Sequence, residues 1–293
     1  MSAEVNYGVG SMVGELRRVV VGTPSARLQS ADTLEWHYAA PVDLKRAEEE
    51  HQEFRKLLGG LGVEVLLAPD RSVSADSMFV HDPVLVTPRG SIGLRPGKEL
   101  RQAEVAPLLA VLEEHGLPTL GTITEGVCEG GDLLWIDEQT LVAGCGYRSD
   151  LTGLGQLEAI LLRQGIRLEV FDLPVFEGAA ACLHLQSLIS LVRQDLALVH
   201  MPLMPVRFVQ WLQARGIELI VAPEGEFPTQ STNVLCIRPG EVVTLDVNVE
   251  TRRLLEEHGC IVHPYVGQEI SLKTEGGATC LTRPVWRAPV LEV

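Results

Sequence analysis

LQARGIELIVAP, residues 212–223, holds the grammar of the whole chain. Phe208, Trp211 and Leu212 recur at helical spacing and end a helix, and Gly216 stands where the last turn needs a left-handed residue to close. The apolar run that follows is a short strand. Four other segments repeat this order: LGGLGVEVLLAP at 58–69, LEEHGLPTLGTI at 112–123, LLRQGIRLEVFDL at 161–173 and LEEHGCIVHPYV at 255–266. Their glycines, Gly62, Gly116, Gly165, Gly216 and Gly259, are 54, 49, 51 and 43 residues apart, a period of about fifty that marks an internal repeat.

Between one such strand and the next helix lies a strand-rich stretch with a turn at its centre. Ser77 to Leu94 turns at Pro88–Gly90, Asp132 to Gly144 at Asp137–Gln139, Leu183 to Met201 at Arg193–Asp195, and Thr232 to Asp246 at Pro239–Glu241. Each unit is therefore two or more strands and one helix. The fifth unit is complete if a C-terminal strand around Cys280 joins the N-terminal strand Leu16 to Val21, which closes the chain into a ring. Units this small cannot bury their apolar faces alone, and a radial array around a shared centre solves that problem. A doubly wound sheet also alternates strands and helices, but it does not explain five units. No linker interrupts the pattern, so residues 1–293 are expected to form a single domain. The least regular stretch, Thr23 to Pro41, contains Trp36 and Tyr38 and is either a lid or an ordered loop packed on the body.

At 293 residues, 46% hydrophobic and 22% charged, the chain can bury a substantial core. Its six cysteines include no CxxC pair, which argues against a zinc knuckle or a disulfide framework. A net charge of −15, from 24 basic and 39 acidic residues, argues against nucleic acid or anionic membrane as partners and is compatible with a cationic small ligand. No apolar window approaches the length of a membrane span, and Glu4 interrupts any leader-like start. A cytoplasmic location is expected.

In a radial array the inner ends of successive strands converge. Four clusters fall at such ends: ADSMFVHD with Asp76 and Asp82, EGGD with Glu129 and Asp132, CLHLQS with His184, and GGATC with Cys280. Taken singly, each has an ordinary structural explanation as a turn acid, a strand-end turn, a core histidine or a buried thiol. Together they fit one chemistry. A thiolate attacks an electrophilic carbon, a histidine moves protons to the leaving group and from water, and carboxylates grip a cation beside the attacked carbon. A guanidinium needs all three, and its charge would favour the ionised thiol.

These motifs resemble those of the guanidino-group-modifying superfamily, the pentein fold, which includes dimethylarginine dimethylaminohydrolases, arginine deiminases and glycine amidinotransferases. The resemblance spans nearly the whole chain and implies an α/β propeller of five ββαβ-type units. It implies that Cys280 in GGATC is the nucleophile, that His184 in HLQS is the general acid and base, and that Glu129 and Asp82 hold the substrate guanidinium. By the same resemblance Asp76 is a further binding acid, and Arg101 in RPGKELR and Arg148 in GYRSD meet the amino-acid end of the substrate. Gln186 stands where deiminases and amidinotransferases usually carry an acid, which brings the dimethylaminohydrolase pattern closer.

The resemblance thus implies hydrolysis of a C–N bond in an arginine-like guanidino compound, through a covalent thiouronium on Cys280, giving citrulline or another ureido product. No metal or organic cofactor is implied. Arginine deimination and amidino transfer remain alternatives within the enzyme class, and a non-catalytic pentein binding protein is the alternative outside it. An exposed blade edge could support a homodimer.

Overall fold

The structure, a computed structural model, describes residues 6–68, 74–179 and 181–290; Glu4 and Pro69 lie outside them. Five three-stranded sheets are arranged as the blades of the expected ring. The second blade contains β3 (Val84–Thr87), β4 (Gly90–Gly93) and β5 (Thr119–Thr122), and the third β6 (Leu133–Asp137), β7 (Thr140–Cys145) and β8 (Arg167–Asp172). The fourth holds β9 (Ile189–Arg193), β10 (Leu196–Val199) and β11 (Glu218–Val221), and the fifth β12 (Leu235–Arg238), β13 (Glu241–Leu245) and β14 (Ile261–Tyr265). The first blade closes the ring. Here β1 (Leu16–Gly22) pairs antiparallel with the C-terminal β15 (Thr282–Arg287) and parallel with β2 (Glu64–Ala68).

Every blade follows one rule: a hairpin, or its equivalent from the two termini, then a helix, then a strand added parallel to the middle one. The four tight turns fall where the sequence places them. The crossover helices are α3 (Leu44–Gly60), α4 (Val105–Glu114), α5 (Leu151–Leu162), α6 (Val206–Gln213) and α7 (Val249–Glu257), after two short ones, α1 (Ala26–Gln29) and α2 (Thr33–Trp36). Middle strands such as β4 and β10 are buried throughout and read as continuous apolar or small-residue runs, whereas the added strands β2, β5 and β11 are largely half-buried or exposed.

The helix-to-strand junctions have one construction. All five glycines are left-handed, with φ of 86°, 85°, 76°, 73° and 79° in chain order. Just beyond each, a backbone N–H reaches back to a leucine carbonyl: Val63 to Leu58, Leu117 to Leu112, Ile166 to Leu161, Ile217 to Leu212 and Cys260 to Leu255, at 2.9–3.2 Å. Those five leucines are fully buried. This is the Schellman closure with its apolar contact. It explains why the period is legible in sequence, because each junction needs a leucine, a glycine and an apolar residue at fixed offsets.

Apolar clusters join neighbouring blades; one brings Phe171 of β8 against Phe208 of α6 and continues to Val242 of β13. Among the described residues no helix is long and apolar enough to cross a membrane. The C-terminal strand begins at Thr282, so Cys280 lies in the turn before it and not within the strand, free of the flat ladder geometry that would fix its side chain to one face.

Candidate active site

Each blade's first strand is preceded by a short irregular turn, and these turns meet at the ring centre around a cavity of about 650 Å³. Asp82 precedes β3, Glu129 and Asp132 precede β6, His184 precedes β9, Asn233 precedes β12 and Cys280 precedes β15. Asp76, Asp82, Arg101, Arg148, His184 and Cys280 all line the cavity. Glu129 does not: it is 0% exposed and lies behind His184.

Cys280 receives a hydrogen bond on Sγ from Asn233 Nδ2 at 3.0 Å. Asn233 is itself held by the backbone N–H of Thr279, which donates to Oδ1 at 2.9 Å. Burial pushes the Cys280 thiol up to about 11, with Asp82 adding to the rise and Asn233 and His184 opposing it, so Cys280 is a thiol at neutral pH. Asn233 was not singled out in the sequence. Its position before the first strand of the fifth unit, matching Asp82 and Asp132 in theirs, is the signal that could have found it.

Gly276 and Gly277, just before Cys280, make room for neighbouring side chains. Neither has a left-handed φ. A Cβ on Gly277 would lie 2.5 Å from Asn233 Cγ, and one on Gly276 would collide with the Phe79 ring. The left-handed residue of this turn is Glu275, at φ 59°. The glycines therefore admit neighbouring side chains, above all the partner of the thiol.

His184 is held from two sides. Its Nε2 lies 2.5 Å from Glu129 Oε2, and its Nδ1 lies 3.5 Å from the Sγ of Cys182. Burial disfavours the imidazolium, yet Cys182, Asp82 and Asp132 together hold His184 well above its ordinary range. Glu129 also accepts from Arg148 Nε at 2.9 Å and from the Gly97 N–H at 2.8 Å. Burial alone would raise its carboxyl, but Arg148 and His184 outweigh it and bring the value down to about 2. With both oxygens engaged and no cavity face, Glu129 is placed to orient and charge His184; the expected grip on a guanidinium is not what its position offers.

Asp82 faces the cavity. Its Oδ1 accepts from the Gly131 N–H at 2.9 Å and its Oδ2 from Arg101 Nη1 at 2.6 Å. Despite burial, His184 and Arg101 keep it below the usual carboxylate range. Arg101, only 3% exposed, also donates to Glu104 at 3.0 Å and to the Phe79 carbonyl at 2.8 Å. Its fork is thus largely spent on protein groups, which limits what it can give a ligand carboxylate. Arg148 binds Glu129 through Nε, which leaves the outer end of its guanidinium toward the cavity. Asp76 accepts from the Tyr38 hydroxyl at 2.6 Å and pairs with Lys98 at 3.2 Å. Lys98 in turn lies 4.3 Å above the Trp36 ring and donates to the Trp36 carbonyl at 3.0 Å. The Thr23–Pro41 stretch thus packs Tyr38 into the body and contributes Trp36 and His37 to the cavity wall.

Two residues of the motifs are architectural. Asp132 accepts from Ser149 Oγ at 2.7 Å and from the Leu185 N–H at 3.0 Å, tying the third blade's turn to the fourth's. Gln186 donates to the Leu133 carbonyl at 2.6 Å and the Gly130 carbonyl at 3.1 Å, work that a carboxylate could not do. Asp82, Glu129 and His184 place donor atoms within 4.8 Å of one another, close enough to hold a metal ion. Each is already committed to Arg101, Arg148 or a protein hydrogen bond, so a metal would have to displace those partners.

The sequence pattern of the arginine deiminase family matches residues 74–215 and 204–287, and the chain belongs to that family. A dimethylarginine dimethylaminohydrolase of Streptomyces coelicolor is 31% identical over 191 residues, covering 65% of this chain and 70% of that one. The structure superposes on the dimethylarginine dimethylaminohydrolase of Pseudomonas aeruginosa, solved as a cysteine-to-serine mutant with citrulline, with a TM-score of 0.76 at 23% identity over 92% of this chain and 98% of that one. It also superposes on the N-terminal domain of a cyanobacterial arginine dihydrolase, TM-score 0.79 at 21% identity, covering 94% and 99%. The fold is the pentein fold.

Proposed function

We propose that the protein is a hydrolase that cleaves a C–N bond of an arginine-like guanidino substrate, through a covalent intermediate on Cys280. The observation that carries this reading is the meeting, in one cavity, of a thiol held by Asn233, an imidazole held by Glu129, and the carboxylate of Asp82. The kinship with dimethylarginine dimethylaminohydrolases supports it.

Asp82 receives the guanidinium and sets its plane. The incoming positive charge, next to a thiol that burial keeps protonated, lowers the thiol's pKa, and the thiol gives its proton up to solvent as the thiolate forms. The thiolate adds to the guanidinium carbon. His184, charged in the resting site, gives its proton to the departing nitrogen as the C–N bond breaks, leaving an S-alkylthiouronium on Cys280 and a free amine. Water then gives a proton to the neutral His184 and adds to the same carbon. The C–S bond breaks as the hydroxyl proton of the adduct passes to the departing sulfur, which restores the Cys280 thiol, and a ureido compound leaves; it is citrulline if the substrate is arginine or a methylated arginine.

Arg148 and Lys98 are the groups placed to meet a substrate carboxylate, with Arg101 supporting Asp82. The neutral Gln186, engaged with two carbonyls, leaves Asp82 as the charged grip on the reacting group and favours an N-substituted guanidine over arginine itself. All five blades contribute to the cavity, so residues 1–293 work as one catalytic domain. A reducing, cytoplasmic setting fits the need for a free thiol.

The test is to incubate the protein with arginine, dimethylarginine, hydroxyarginine and agmatine, and to quantify citrulline, other ureido products and ornithine separately. Ureido product from at least one compound, with an alkylthiouronium adduct trapped by acid quench and seen by mass spectrometry on the Cys280 peptide, is the expected result. Normal turnover by Cys280→Ser would sink the mechanism.

A further inference from the structure

A second, much smaller cavity, of about 20 Å³, lies within the ring. The first strand of every blade reaches it, with Leu85 of β3, Leu133 of β6, Ser190 of β9, Leu235 of β12 and Arg283 of β15, so it sits on the axis about which the blades are arranged. His81 lines both this cavity and the candidate active site. Its ring is neutral and spent on the protein: burial takes the imidazole down to about 3, Nδ1 lies 2.9 Å from the Thr282 carbonyl and Nε2 lies 3.1 Å from Gln186 Nε2.

β15 brings two arginines to this small cavity, Arg283 at 4% exposure and Arg287 at 5%. The other buried arginines of the ring centre have carboxylates: Arg101 has Asp82 and Glu104, and Arg148 has Glu129. These two do not. Among the described residues no ion pair reaches either, and no acidic side chain lines the cavity. Backbone holds them instead. Arg283 Nη2 donates to the His81 carbonyl, beside Gly130, where a Cβ would come within 2.6 Å of that nitrogen. Arg287 donates to the Gly14 carbonyl at 2.6 Å and the Cys236 carbonyl at 2.8 Å. Carbonyls satisfy N–H groups without cancelling a charge. Burial lowers both guanidiniums, Arg283 to about 9 and Arg287 to about 10, so both remain charged at neutral pH.

Arg283 also has a donor to give. Its Nη1 has no partner among the described residues and, unlike its Nε, is not sealed from all surface; for so buried a residue that surface belongs to the cavity. Ser11 lines the same space. Its Oγ accepts from the N–H groups of Val13 and Gly14 at 3.0 Å each, and among the described residues no acceptor takes its hydroxyl proton.

We propose that this cavity is a chloride site, in which one ion lies against Arg283 Nη1 and supplies the counter-charge for Arg283 and Arg287. It is separate from the hydrolase reading and does not depend on it. Size selects a monatomic ion: a water needs about 10–15 Å³ of such space, so about 20 Å³ takes one small species and refuses phosphate, sulfate or an organic acid. Chemistry selects an anion, because a guanidinium and an unspent hydroxyl proton offer donors. A water would meet the donors but leave two buried charges uncompensated. An ion held by the first strands of all five blades belongs to the closed ring alone, so it stabilises the folded chain in proportion to its occupancy.

Two measurements test the site. In crystals grown or soaked in sodium bromide, data collected at the bromine absorption edge should show an anomalous peak in this cavity, within hydrogen-bond reach of Arg283 Nη1. In solution, the urea midpoint is followed at fixed ionic strength as gluconate, too large to enter, is replaced by chloride. The midpoint should rise along a saturating curve with half-saturation below about 0.1 M, and bromide should substitute for chloride. Arg283→Met, with its fold checked by circular dichroism, should lose that dependence. If the variant does not fold, the bromide peak in the unaltered protein still decides.

No bromide in the cavity, a midpoint indifferent to which anion is present, a linear response without saturation up to about 1 M, as a general salt effect gives, or a full chloride response in folded Arg283→Met would each overturn the proposal. None of these readouts involves turnover, so a failure of the hydrolase reading would leave them unchanged.

Discussion

The two ends of each blade obey opposite rules. At the outer end, five junctions repeat one solution: a buried leucine, a left-handed glycine and a returning N–H. At the inner end, five equivalent turns carry different chemistry: a carboxylate, a carboxylate behind a histidine, the histidine, an amide and a thiol. The repeat persists where the demand is conformational and identical in every unit. It dissolves where the units jointly build one asymmetric site. Substitutions at the centre should therefore remove activity with modest loss of stability, and substitutions at the junctions the reverse.

The largest effect is expected at the centre. Cys280→Ala should lower turnover by about 10⁴-fold or more, because it removes the thiol proposed to carry the covalent intermediate, while leaving the melting temperature nearly unchanged. A ureido assay with a parallel thermal melt checks both halves. Asp82→Asn should cost about 10²–10³-fold in kcat/KM, the scale of a lost charge-assisted grip on the reacting cation. Retention of normal kcat/KM would mean that the guanidinium sits elsewhere.

Glu129→Gln removes the carboxylate on His184 Nε2. The imidazolium should then release its proton more readily, and the alkaline limb of the rate profile should move to lower pH by about one unit or more. The same variant leaves Arg148 and His184 buried without their partner, so stability should fall too, by about 3 kcal/mol in urea titrations. It is the one central position at which both properties are expected to suffer.

The pH dependence of stability has a sign fixed by two acids of the same turn. Glu129, held at about 2 against an ordinary 4.5, contributes stability above pH 4.5 that is lost as pH falls toward 2. Asp132, raised by burial to about 6 from 3.8, contributes stability that is full below 3.8 and lost as pH rises through 6. From these groups the urea midpoint should peak at about pH 4 and decline on both sides. A midpoint that climbs steadily to pH 8 would contradict the assignment.

The smallest effect belongs to a junction. Gly216→Ala places a side chain at φ 73° in open space, so it adds strain without collision and should cost about 1 kcal/mol of stability. Its kcat should stay at the parent value, which steady-state kinetics alongside a melt would show.

Much of the molecule was legible in sequence, because the junctions and hairpin turns depend on local conformational chemistry. Gly62, Gly116, Gly165, Gly216 and Gly259 announced the period, and the period announced the ring. His184, Asp82 and Cys280 could be named from their motifs and their places at strand entrances. The roles of Glu129, Arg101 and Asn233 could not. Glu129 and Asp82 are both acids before a first strand, yet one faces the cavity and the other lies buried against His184. Arg101 carries the charge to bind a carboxylate, but Asp82 and Glu104 already take most of its donors.

The sequence by itself determined the number of units, their order and the kind of chemistry available, since those follow from local periodicity and residue type. Only the tertiary structure decided which polar group faces which. That choice depends on side chains from different blades meeting at the centre, where Gly277 admits Asn233 to the thiol and Glu129 backs the imidazole. Pairings between residues as distant in sequence as 129 and 184 leave no local trace. They are settled by burial, which makes most polar groups at the ring centre find a partner or face the cavity.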